Sequence, residues 1–494
     1  MHNYRNVVLI ILFFILTACA VGPDYVRPRV ATPSKYKEAK GKKVIVGKDN
    51  HEWKIAKPND ACNRGAWWKI FRDNELNKLE DQLNNSNQTI MEAFENYKQA
   101  QALVDEARAS FFPALNGSVT FTRQKQGGGT TSFVSSSGGS TSTGTATLGA
   151  GGVSHSITDS HSIVFNATWI PDIWGLVRRT VEASAAGAEA SHALLASTRL
   201  STQGSLAQYY FELRALDTDQ KLLNATVVDY KKALQLTKNQ YKSGVASRAD
   251  IVQAQSLLET TQAQAINNGI NRAIYEHAIA VLIGTLPEEF SLPPRPLVKS
   301  PPPVPLSVPS ALLERRPDIA QAERLMAQAN AQIGVAVAAY YPSLALTATG
   351  SFFGHGLSHW ISMPALGWAY GPQLAQLIYD GGLRAAEVRA AEAGYCSTLA
   401  SYRQIVLAAF QNVEDNLSSL RILNAEAVVQ NQAADSARLA LKLVINQYKA
   451  GTVPYSSVIT AQIAAFTAEK NAADITGLRS TATVGLILAL GGGW

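Results

Sequence analysis

The chain has 494 residues, a formal net charge of +6, and 44 Lys and Arg against 38 Asp and Glu. Charges of both signs are scattered along the same segments, with no basic stripe and no cluster of stacking aromatic residues, which argues against a nucleic-acid partner. A chain of this length could form three ordinary domains, but an internal repeat described below favours one molecule built from two equivalent halves.

The N-terminus has the pattern of an export signal. Arg5 precedes the apolar run VVLIILFFIL, which is too short to cross a membrane, and Leu16-Thr17-Ala18-Cys19 follows it. These four residues resemble a bacterial lipobox, so we expect residues 1–18 to be a lipoprotein signal peptide and Cys19 to carry lipid. Ala20 next to it favours sorting to the outer membrane. The alternative is ordinary cleavage near Ala18 or Ala20.

Residues 19–72 are rich in Pro, Lys and Gly up to about residue 66 and predict an extended segment leading from the lipid. Ordered structure is expected to begin again at the WWKIF sequence of residues 67–71. An oxidising periplasm would permit a bridge between Cys62 and Cys396. The sequence does not bring these two residues together, and we expect unpaired thiols.

A proline-free stretch from Trp174 to Tyr241 predicts one very long helix, roughly 100 Å at 1.5 Å per residue. Its second part keeps a seven-residue apolar repeat typical of a coiled-coil seam. One row of the seam contains Leu206, Leu213, Gln220, Val227, Leu234 and Tyr241, and the other contains Tyr209, Leu216, Leu223, Tyr230 and Thr237. Only Gln220 and Thr237 depart from the apolar pattern.

The same design occurs twice. A second proline-free run, Leu383 to Tyr448, ends in NQYKAG as the first ends in NQYKSG, at an offset of about 207 residues. This duplication predicts a first repeat at 73–286 and a second at 311–494. A proline-rich linker at 287–310 joins them and is expected to run extended over the outside.

Each repeat also contains a β-hairpin, at 114–171 and 343–379, where the hydrophobic period changes from helical to two. Apolar residues such as Leu115, Phe165 and Leu346 alternate with polar or small ones. The first hairpin carries a loop of Gly, Ser and Thr, and the second a shorter loop around residues 351–363. Each repeat is therefore expected to run leading helix, hairpin, long helix and return helix.

Helix lengths predict how these pieces fit. The first leading helix spans about 75–110 with a break near residues 84–87, and the return helices span about 247–284 and 454–490. A leading and a return helix together match one long helix at 1.5 Å per residue. We therefore expect them to stack end on end, in a tube wall where two-piece helices alternate with unbroken ones.

Four strands with one apolar face favour membrane insertion and oligomerisation, because only a closed barrel leaves no unpaired strand edge in lipid. Two copies would give eight strands with a filled interior, whereas three would give twelve and room for a pore. The alternatives are a soluble β-sandwich for the strands and a structural coiled-coil spacer for the helices.

Several phrases resemble the outer-membrane factor family, the TolC-type channels, and in particular their lipoprotein branch. They are CAVGPDYVRP after the lipobox, WWKIF, LLERRPDIAQAERLMAQANAQIG with the following YYPSL, and the two NQYK-x-G turns. The resemblance implies a mainly α-helical homotrimer with a twelve-stranded outer-membrane β-barrel continued by a periplasmic α-helical barrel. It also implies a periplasmic adaptor and an inner-membrane pump, usually of the resistance-nodulation-division class, as partners.

The resemblance also assigns a periplasmic end to the molecule. Gly244 and Gly451 stand at the turns that would meet the adaptor. The positions that match the family's periplasmic gate are Tyr241, Arg248, Asp250, Tyr448, Ser456 and Thr460. Ser456 and Thr460 depart from the bulky apolar residue and aspartate common in relatives, which leaves one acidic ring from Asp250. The alternative is that Asp250 only completes a helix cap with Ser247.

No catalytic constellation is present in the sequence, so we expect no enzyme activity, metal or cofactor beyond the lipid on Cys19. His355 and His359 are four apart but in a Gly/Ser loop without a carboxylate, which is poor metal chemistry. The favoured function is an outer-membrane, lipid-anchored export duct of a tripartite efflux system for small toxic compounds. The alternatives are an outlet for type I protein secretion and a non-conducting coiled-coil lipoprotein.

Overall fold

A computed structural model describes residues 20–30, 32–39, 44–45, 65–125, 157–297, 301–307, 309–354 and 361–492. The predictions about Cys19, Cys62, His355 and His359 lie outside these residues. Two compact units are present, and each draws segments from both sequence repeats. The first combines Met1–Pro23, Asp105–Val181 and Gln332–Ala390, and the second combines Asp24–Val104, Glu182–Ala331 and Ala391–Trp494.

The first unit contains a four-stranded antiparallel sheet. Its strands are β1 (Ala114–Lys125), β2 (Ile157–Trp169), β3 (Ser343–Gly354) and β4 (Leu366–Ala375), in the order β1-β2-β3-β4. The pairing of β2 with β3 joins the two hairpins, from His161 opposite Gly354 to Trp169 opposite Leu346. Among the described residues, β1 and β4 each lack a partner on their outer side.

The strand register places the apolar residues of all four strands on one face, because directly paired residues share a face. That face carries Leu115, Val119, Phe121, Ile163, Phe165, Trp169, Leu344, Leu346, Phe352, Trp368, Tyr370 and Leu374. The other face is mostly polar or small, with Val164 and Phe353 as exceptions, and there Thr349 Oγ1 donates to Asn166 Oδ1 at 3.1 Å. Much of the apolar face is exposed, with Trp368 at 71% and Leu115 at 72%.

The second hairpin differs from its prediction at one point. Strand β3 continues to Gly354 instead of ending near Ser351. The extra residues pair with β2, where Ser162 lies opposite Phe353. Because the partner strand belongs to the other hairpin, the full length of β3 could not be predicted from the residues of β3 alone.

Seven α-helices of 13 residues or more occur in the described part of the chain. They are α1 (Asn74–Ser86), α2 (Gln88–Ala109), α3 (Leu176–Lys242), α4 (Arg248–Leu282), α5 (Pro317–Ala338), α6 (Leu383–Lys449) and α7 (Tyr455–Ala489). Helices α3 and α6 have 67 residues each, and α4 and α7 have 35 each. Among the described residues, no helix combines the length and apolarity needed to cross a membrane.

The return helices end against the leading segments in both repeats, and in the first repeat the contact lies at the break between α1 and α2 and not at the start of the leading segment. In the first repeat, Ser86 Oγ and Asn87 Nδ2 donate to the carbonyls of Ile283 and Leu282 at the end of α4, at 2.6 and 2.7 Å. In the second, Arg316 Nη1 donates to the Ala489 carbonyl at the end of α7, at 3.0 Å. These bonds satisfy carbonyls that a helix end leaves unpaired. Arg316 immediately precedes α5, and from this position its side chain reaches the carbonyl end of α7.

The linker between the repeats packs more deeply than predicted. Leu292 and Val304 are buried at 4% and 7% exposure, so the expectation that the linker runs only over the outside is wrong. The reason is a charged network that binds its backbone. Arg214, itself 1% exposed, donates to Pro293 O at 2.8 Å and pairs with Asp217 at 2.9 Å and Glu75 at 2.8 Å.

The predicted seam on α3 is buried along most of its length, with two differences. Thr237 is fully buried although it interrupts the apolar pattern, because its hydroxyl donates to the Ala233 carbonyl one turn earlier at 3.0 Å. Tyr241, the last member of the apolar row, is instead 46% exposed. Within the second unit the seam ends one turn before the helix does.

Candidate functional site at the helix turns

The two turns that link a long helix to its return helix have the same backbone geometry. After α3, the Gly244 amide donates to Tyr241 O at 3.0 Å and the Val245 amide to Gln240 O at 2.9 Å. After α6, the Gly451 amide donates to Tyr448 O and the Thr452 amide to Gln447 O, both at 3.0 Å. Both glycines have positive φ, 73° and 75°. This is the Schellman ending that the NQYK-x-G sequence encodes.

The two return helices begin differently. Ser247 caps α4, and a full capping box forms: the Asp250 amide donates to Ser247 Oγ at 3.2 Å, and the Ser247 amide donates to Asp250 Oδ2 at 2.8 Å. Pro454 stands at the N-cap of α7 and offers no side-chain cap. Asp250 therefore helps to cap the N-terminus of α4 in the first repeat.

Four helices meet in an apolar cluster just inside the turns. It contains Tyr230 and Leu234 of α3, Ala254 and Leu258 of α4, Tyr448 of α6, and Tyr455 and Val458 of α7. The Tyr448 and Tyr455 rings lie 5.2 Å apart. We name these seven residues the turn cluster. It joins the ends of both repeats within the second unit.

Burial controls the ionisation of the tyrosines in the turn cluster. It raises the pKa of Tyr230 to about 12, with smaller contributions from Tyr455 and Glu469. It also raises the pKa of Tyr448 and of Tyr455, and the nearby Asp250 carboxylate raises both further, whereas the Thr237 hydroxyl lowers them. These phenols therefore stay neutral at physiological pH and act as packing and hydrogen-bonding groups.

A cavity of about 600 Å³ opens beside the turn cluster. Its apolar wall includes Tyr230, Leu236 and Phe466, and its charged rim includes Arg438, whose Nε donates to Glu469 Oε1 at 2.5 Å. A second carboxylate, Asp435, accepts from the same guanidinium at 2.9 Å. The charge of Arg438 is therefore already compensated within this chain.

The structure gives the predicted gate residues different surroundings. Tyr448 is buried in the turn cluster, and Asp250 caps α4 close to it. Tyr241, Arg248, Ser456 and Thr460 are exposed, and Thr460 Oγ1 bonds only back to its own helix at Ser456 O, 3.0 Å. Within one chain, Tyr448 and Asp250 are thus brought together and the other four are not.

Sequence reasoning missed Tyr455, which is 3% exposed and packs beside Tyr448 with the two rings tilted by 51°. A signal was present: when the repeats are aligned at their NQYK motifs, Tyr455 falls at the position of Arg248. An aromatic residue in place of a cation at the start of a return helix marks a helix end that packs inward. Repeat-to-repeat differences were therefore informative, and not only the shared residues.

The described residues include no group of three or more His, Cys, Asp or Glu side chains that could hold a metal ion. Around the turns, the side chains supply aromatic rings, hydroxyls and compensated charges. Such groups suit packing and docking between helices.

Comparison with known proteins identifies the family. The family model "Outer membrane efflux protein" matches residues 79–285 and 308–492. Pyoverdine export outer membrane protein OpmQ of Pseudomonas aeruginosa is 28% identical over 495 residues, covering 100% of this chain and 98% of OpmQ. Nodulation protein T of Rhizobium leguminosarum bv. viciae is 27% identical over 468 residues, covering 94% of this chain and 88% of that protein.

Among solved structures, the outer-membrane channel OprN matches with a TM-score of 0.81 and 27% identity, over 96% of this chain and 100% of OprN. The TolC-like fold expected from the sequence is confirmed by this likeness, and so is the resemblance to outer-membrane factors. The chain belongs to the outer membrane efflux protein family.

Proposed function

We propose that the chain is the outer-membrane channel of a tripartite efflux system and exports small molecules. The observation that carries this is the sheet: four strands with one largely exposed apolar face, whose outer strands have no further partner within the described part of the chain. Such a sheet can be stable in lipid only if other copies complete it. OpmQ, a relative over the whole chain, is by name an export protein for pyoverdine, which supports a small-molecule cargo.

The active form is a homotrimer with twelve strands in its barrel. Three copies provide a water-filled interior, whereas the eight strands of a dimer would be filled by side chains. The polar face, with Ser118, Thr120 and Thr349, would line that interior, and the apolar face would contact lipid. The channel has no enzyme activity of its own, so the energy for export comes from a pump.

The partners are a periplasmic adaptor and an inner-membrane pump of the resistance-nodulation-division class. The turns at Gly244 and Gly451 would contact the adaptor, because they follow the C-terminal ends of the long helices, whereas the hairpins precede the N-terminal ends. Tyr241, Arg248, Asp250, Tyr448, Ser456 and Thr460 would control opening there. The two backbone turns have matching geometry, which supports an adaptor that binds both repeats in a similar way.

Cys19 is lipidated after removal of residues 1–18 and anchors the channel in the outer membrane. The anchor supports small-molecule efflux over type I protein secretion as the pathway. A non-conducting structural lipoprotein is the other candidate, and it would not need the sheet to close.

The test combines electrical recordings of the purified channel with the sensitivity of a gene-deletion strain to toxic compounds. Purified protein placed in planar bilayers should give discrete conductance steps, and deletion of the gene should sensitise the cell to a panel of toxic compounds. Restoring the gene should restore resistance. A protein that inserts without conducting, together with unchanged sensitivity, would overturn the proposal in favour of a structural role.

A further inference from the structure

A second cavity lies in the first unit, where the hairpins end and the helices begin. Its volume is about 480 Å³. It is bounded by Ile170 and Trp174 after β2, by Val177 of α3, by Tyr341 and Leu344 before and within β3, and by Leu377 after β4. Both hairpins contribute, so the cavity exists only once the two repeats have come together. We name it the root cavity.

The root cavity has an ordered apolar wall. The Trp174 ring stacks on Tyr341 with centroids 4.8 Å apart, and Trp174 Nε1 donates to Pro342 O at 2.8 Å, which fixes the indole. Ile170 and Leu377 are about half exposed, at 48% and 55%, so apolar side chains of the lining reach the surface. A volume of this size is in the range of sites that take up small apolar ligands.

The start of the mature chain lies against this same place. The Val21 amide donates to the Trp174 carbonyl at 3.1 Å. Gly175 has a φ of 84°, and a Cβ built there would lie 2.7 Å from Ala20 Cα. The backbone at Ala20 is therefore in direct contact with the residue between Trp174 and Leu176, both of which bound the root cavity.

Two further contacts hold this start in place. The buried Arg179 guanidinium donates to the carbonyls of Val21 and Gly22 at 3.1 and 3.2 Å. Gly22 has a φ of 93°, and a Cβ there would lie 2.5 Å from Gly334 Cα. The path of residues 20–22 is thus fixed by close backbone contacts and a cation.

We propose that the root cavity binds a fatty acyl chain carried by Cys19. Cys19 precedes Ala20, and one residue adds only about 3.8 Å between Cα atoms. An acyl group on Cys19 therefore begins within reach of the Trp174 side of the cavity. This inference rests on the proposed lipidation of Cys19, and it gives that lipid a binding site on the protein itself.

The location suits an acyl chain for a second reason. Membrane strands commonly carry aromatic residues at the level of the lipid surface, and Trp169, Tyr341 and Tyr379 are exposed at the hairpin ends, Tyr379 at 87%. An acyl chain in the root cavity would lie at that level with its far end open to the bilayer through Ile170 and Leu377. The lining is mostly apolar, with Asp172, Ser343, Gln376 and Arg384 as its polar members. Burial of an apolar occupant against the apolar wall is favourable.

Photo-crosslinking can test this in cells. Cells that process bacterial lipoproteins are fed a long-chain fatty acid with a terminal diazirine, the intact channel is irradiated in its membrane, and its peptides are analysed by mass spectrometry. We expect the label on the N-terminal Cys19 peptide to be joined to peptides that contain Trp174 to Val177 or Tyr341 to Leu344.

Two variants of the cavity and one control variant test whether the cross-link depends on the root cavity itself. Val177→Trp fills the root cavity, and Leu377→Gln makes its mouth polar without adding bulk, which keeps the test valid if the first variant folds poorly. Both should lose the cross-link while the N-terminal peptide keeps its lipid mass. Leu383→Gln is the matched control, since Leu383 is 56% exposed and does not bound the cavity. It should keep the cross-link.

The outcomes are distinct. If the labelled Cys19 cross-links only to free lipid or to other protein surfaces, the proposed acyl-binding site is contradicted but the lipid anchor is not. A cross-link that persists when the chain is exported with an ordinary signal peptide ending before Ala20 assigns the cavity to a phospholipid, which also overturns it. An N-terminal peptide without lipid mass overturns both the anchor and the site.

Discussion

At the scale of single residues, Arg214 holds the linker between the repeats. It is almost fully buried and faces Asp217, which is equally buried, as well as Glu75. Removing one member of a buried pair costs about 3–5 kcal/mol when the other charge is left uncompensated. Here Arg272 Nε also pairs with Asp217 at 2.8 Å and the Arg295 amide donates to it at 2.8 Å. We therefore expect Arg214→Met to lower the unfolding free energy in denaturant titrations, but by less than this amount.

The control for Arg214 is an ion pair at the surface. Arg108 and Asp105 are 60% and 77% exposed, and exposed pairs contribute at most about 1 kcal/mol. Arg108→Met should therefore change the unfolding free energy little. Equal losses for the two variants would mean that the buried network does not hold the linker.

Glu80 is another buried residue with a measurable consequence. It is fully buried, and among the described residues its carboxylate oxygens have no hydrogen-bond partner. Burial, with a smaller effect of Asp81, raises its pKa well above the usual value. The folded protein then keeps a proton that the unfolded chain releases, so stability is complete below the unfolded pKa and declines as pH rises toward the folded pKa.

Glu80→Gln tests this sign directly, because glutamine has the same shape and does not ionise. The variant should be more stable than the parent at pH 8 and lose that advantage near pH 4. Thermal melts across this range measure it. A variant that is less stable than the parent at pH 8 would show that the carboxylate is charged and compensated in the folded state.

Asp250 has one demonstrated role as a cap and one proposed role in ion preference. If three copies of its carboxylate line a narrow passage, Asp250→Asn should reduce the preference for cations in single-channel currents. Ser247→Ala breaks the capping box and leaves the charge, so it should keep the preference while weakening the start of α4 by about 1 kcal/mol. Unchanged selectivity in Asp250→Asn would leave the cap as its only role.

At the scale of elements, neighbouring residues of β1 point to opposite faces of the sheet. Val119 lies on the apolar face and Ser118 on the polar one. An arginine facing lipid near the middle of the bilayer costs about 2–4 kcal/mol, so Val119→Arg should reduce the amount of folded channel seen by gel mobility. Ser118→Arg should fold and lower the single-channel conductance. The reverse pattern would mean that the faces are assigned the wrong way round.

The sequence predicted elements best where one segment carries its own signal. The alternation of β1 and the proline-free length of α3 are properties of single segments, and the NQYK-x-G turn specifies its own backbone. The features that the sequence did not predict depend on contacts with residues far away in the chain. Thr237 is close to Tyr448 and Tyr455 of the second repeat, Tyr455 shares a cluster with Tyr230 and Leu258 of the first repeat, and the linker is held by Arg214. Periodicity within one segment contains no information on these partners.

At the scale of the whole molecule, the two outer strands should meet between copies. In a chain with Cys62 and Cys396 replaced by serine and Cys19 kept for its lipid, Thr120→Cys on β1 is combined with Gly367→Cys, Ala369→Cys or Gly371→Cys on β4, all on the polar face. We expect at least one pair to give a covalent trimer on a denaturing gel. Thr120→Cys with Thr347→Cys on the inner strand β3 should give none.

The absence of covalent trimer from all three pairs, with a monomeric mass in detergent, would contradict ring closure by β1 and β4. A covalent dimer that does not extend further would indicate two copies instead of three. Native mass spectrometry of the unmodified protein gives an independent count.

The outer edges of β1 and β4, which have no partner among the described residues, also have a genetic consequence. A copy with a damaged β4 can still offer a sound β1 to its neighbour, so it enters the ring and disrupts it. If the ring holds three copies, as proposed, and a cell makes sound and damaged copies in equal amounts that mix at random, only about one ring in eight contains sound copies alone. Mutations at this border should therefore be dominant over a normal gene, whereas mutations that prevent a copy from joining at all should be recessive.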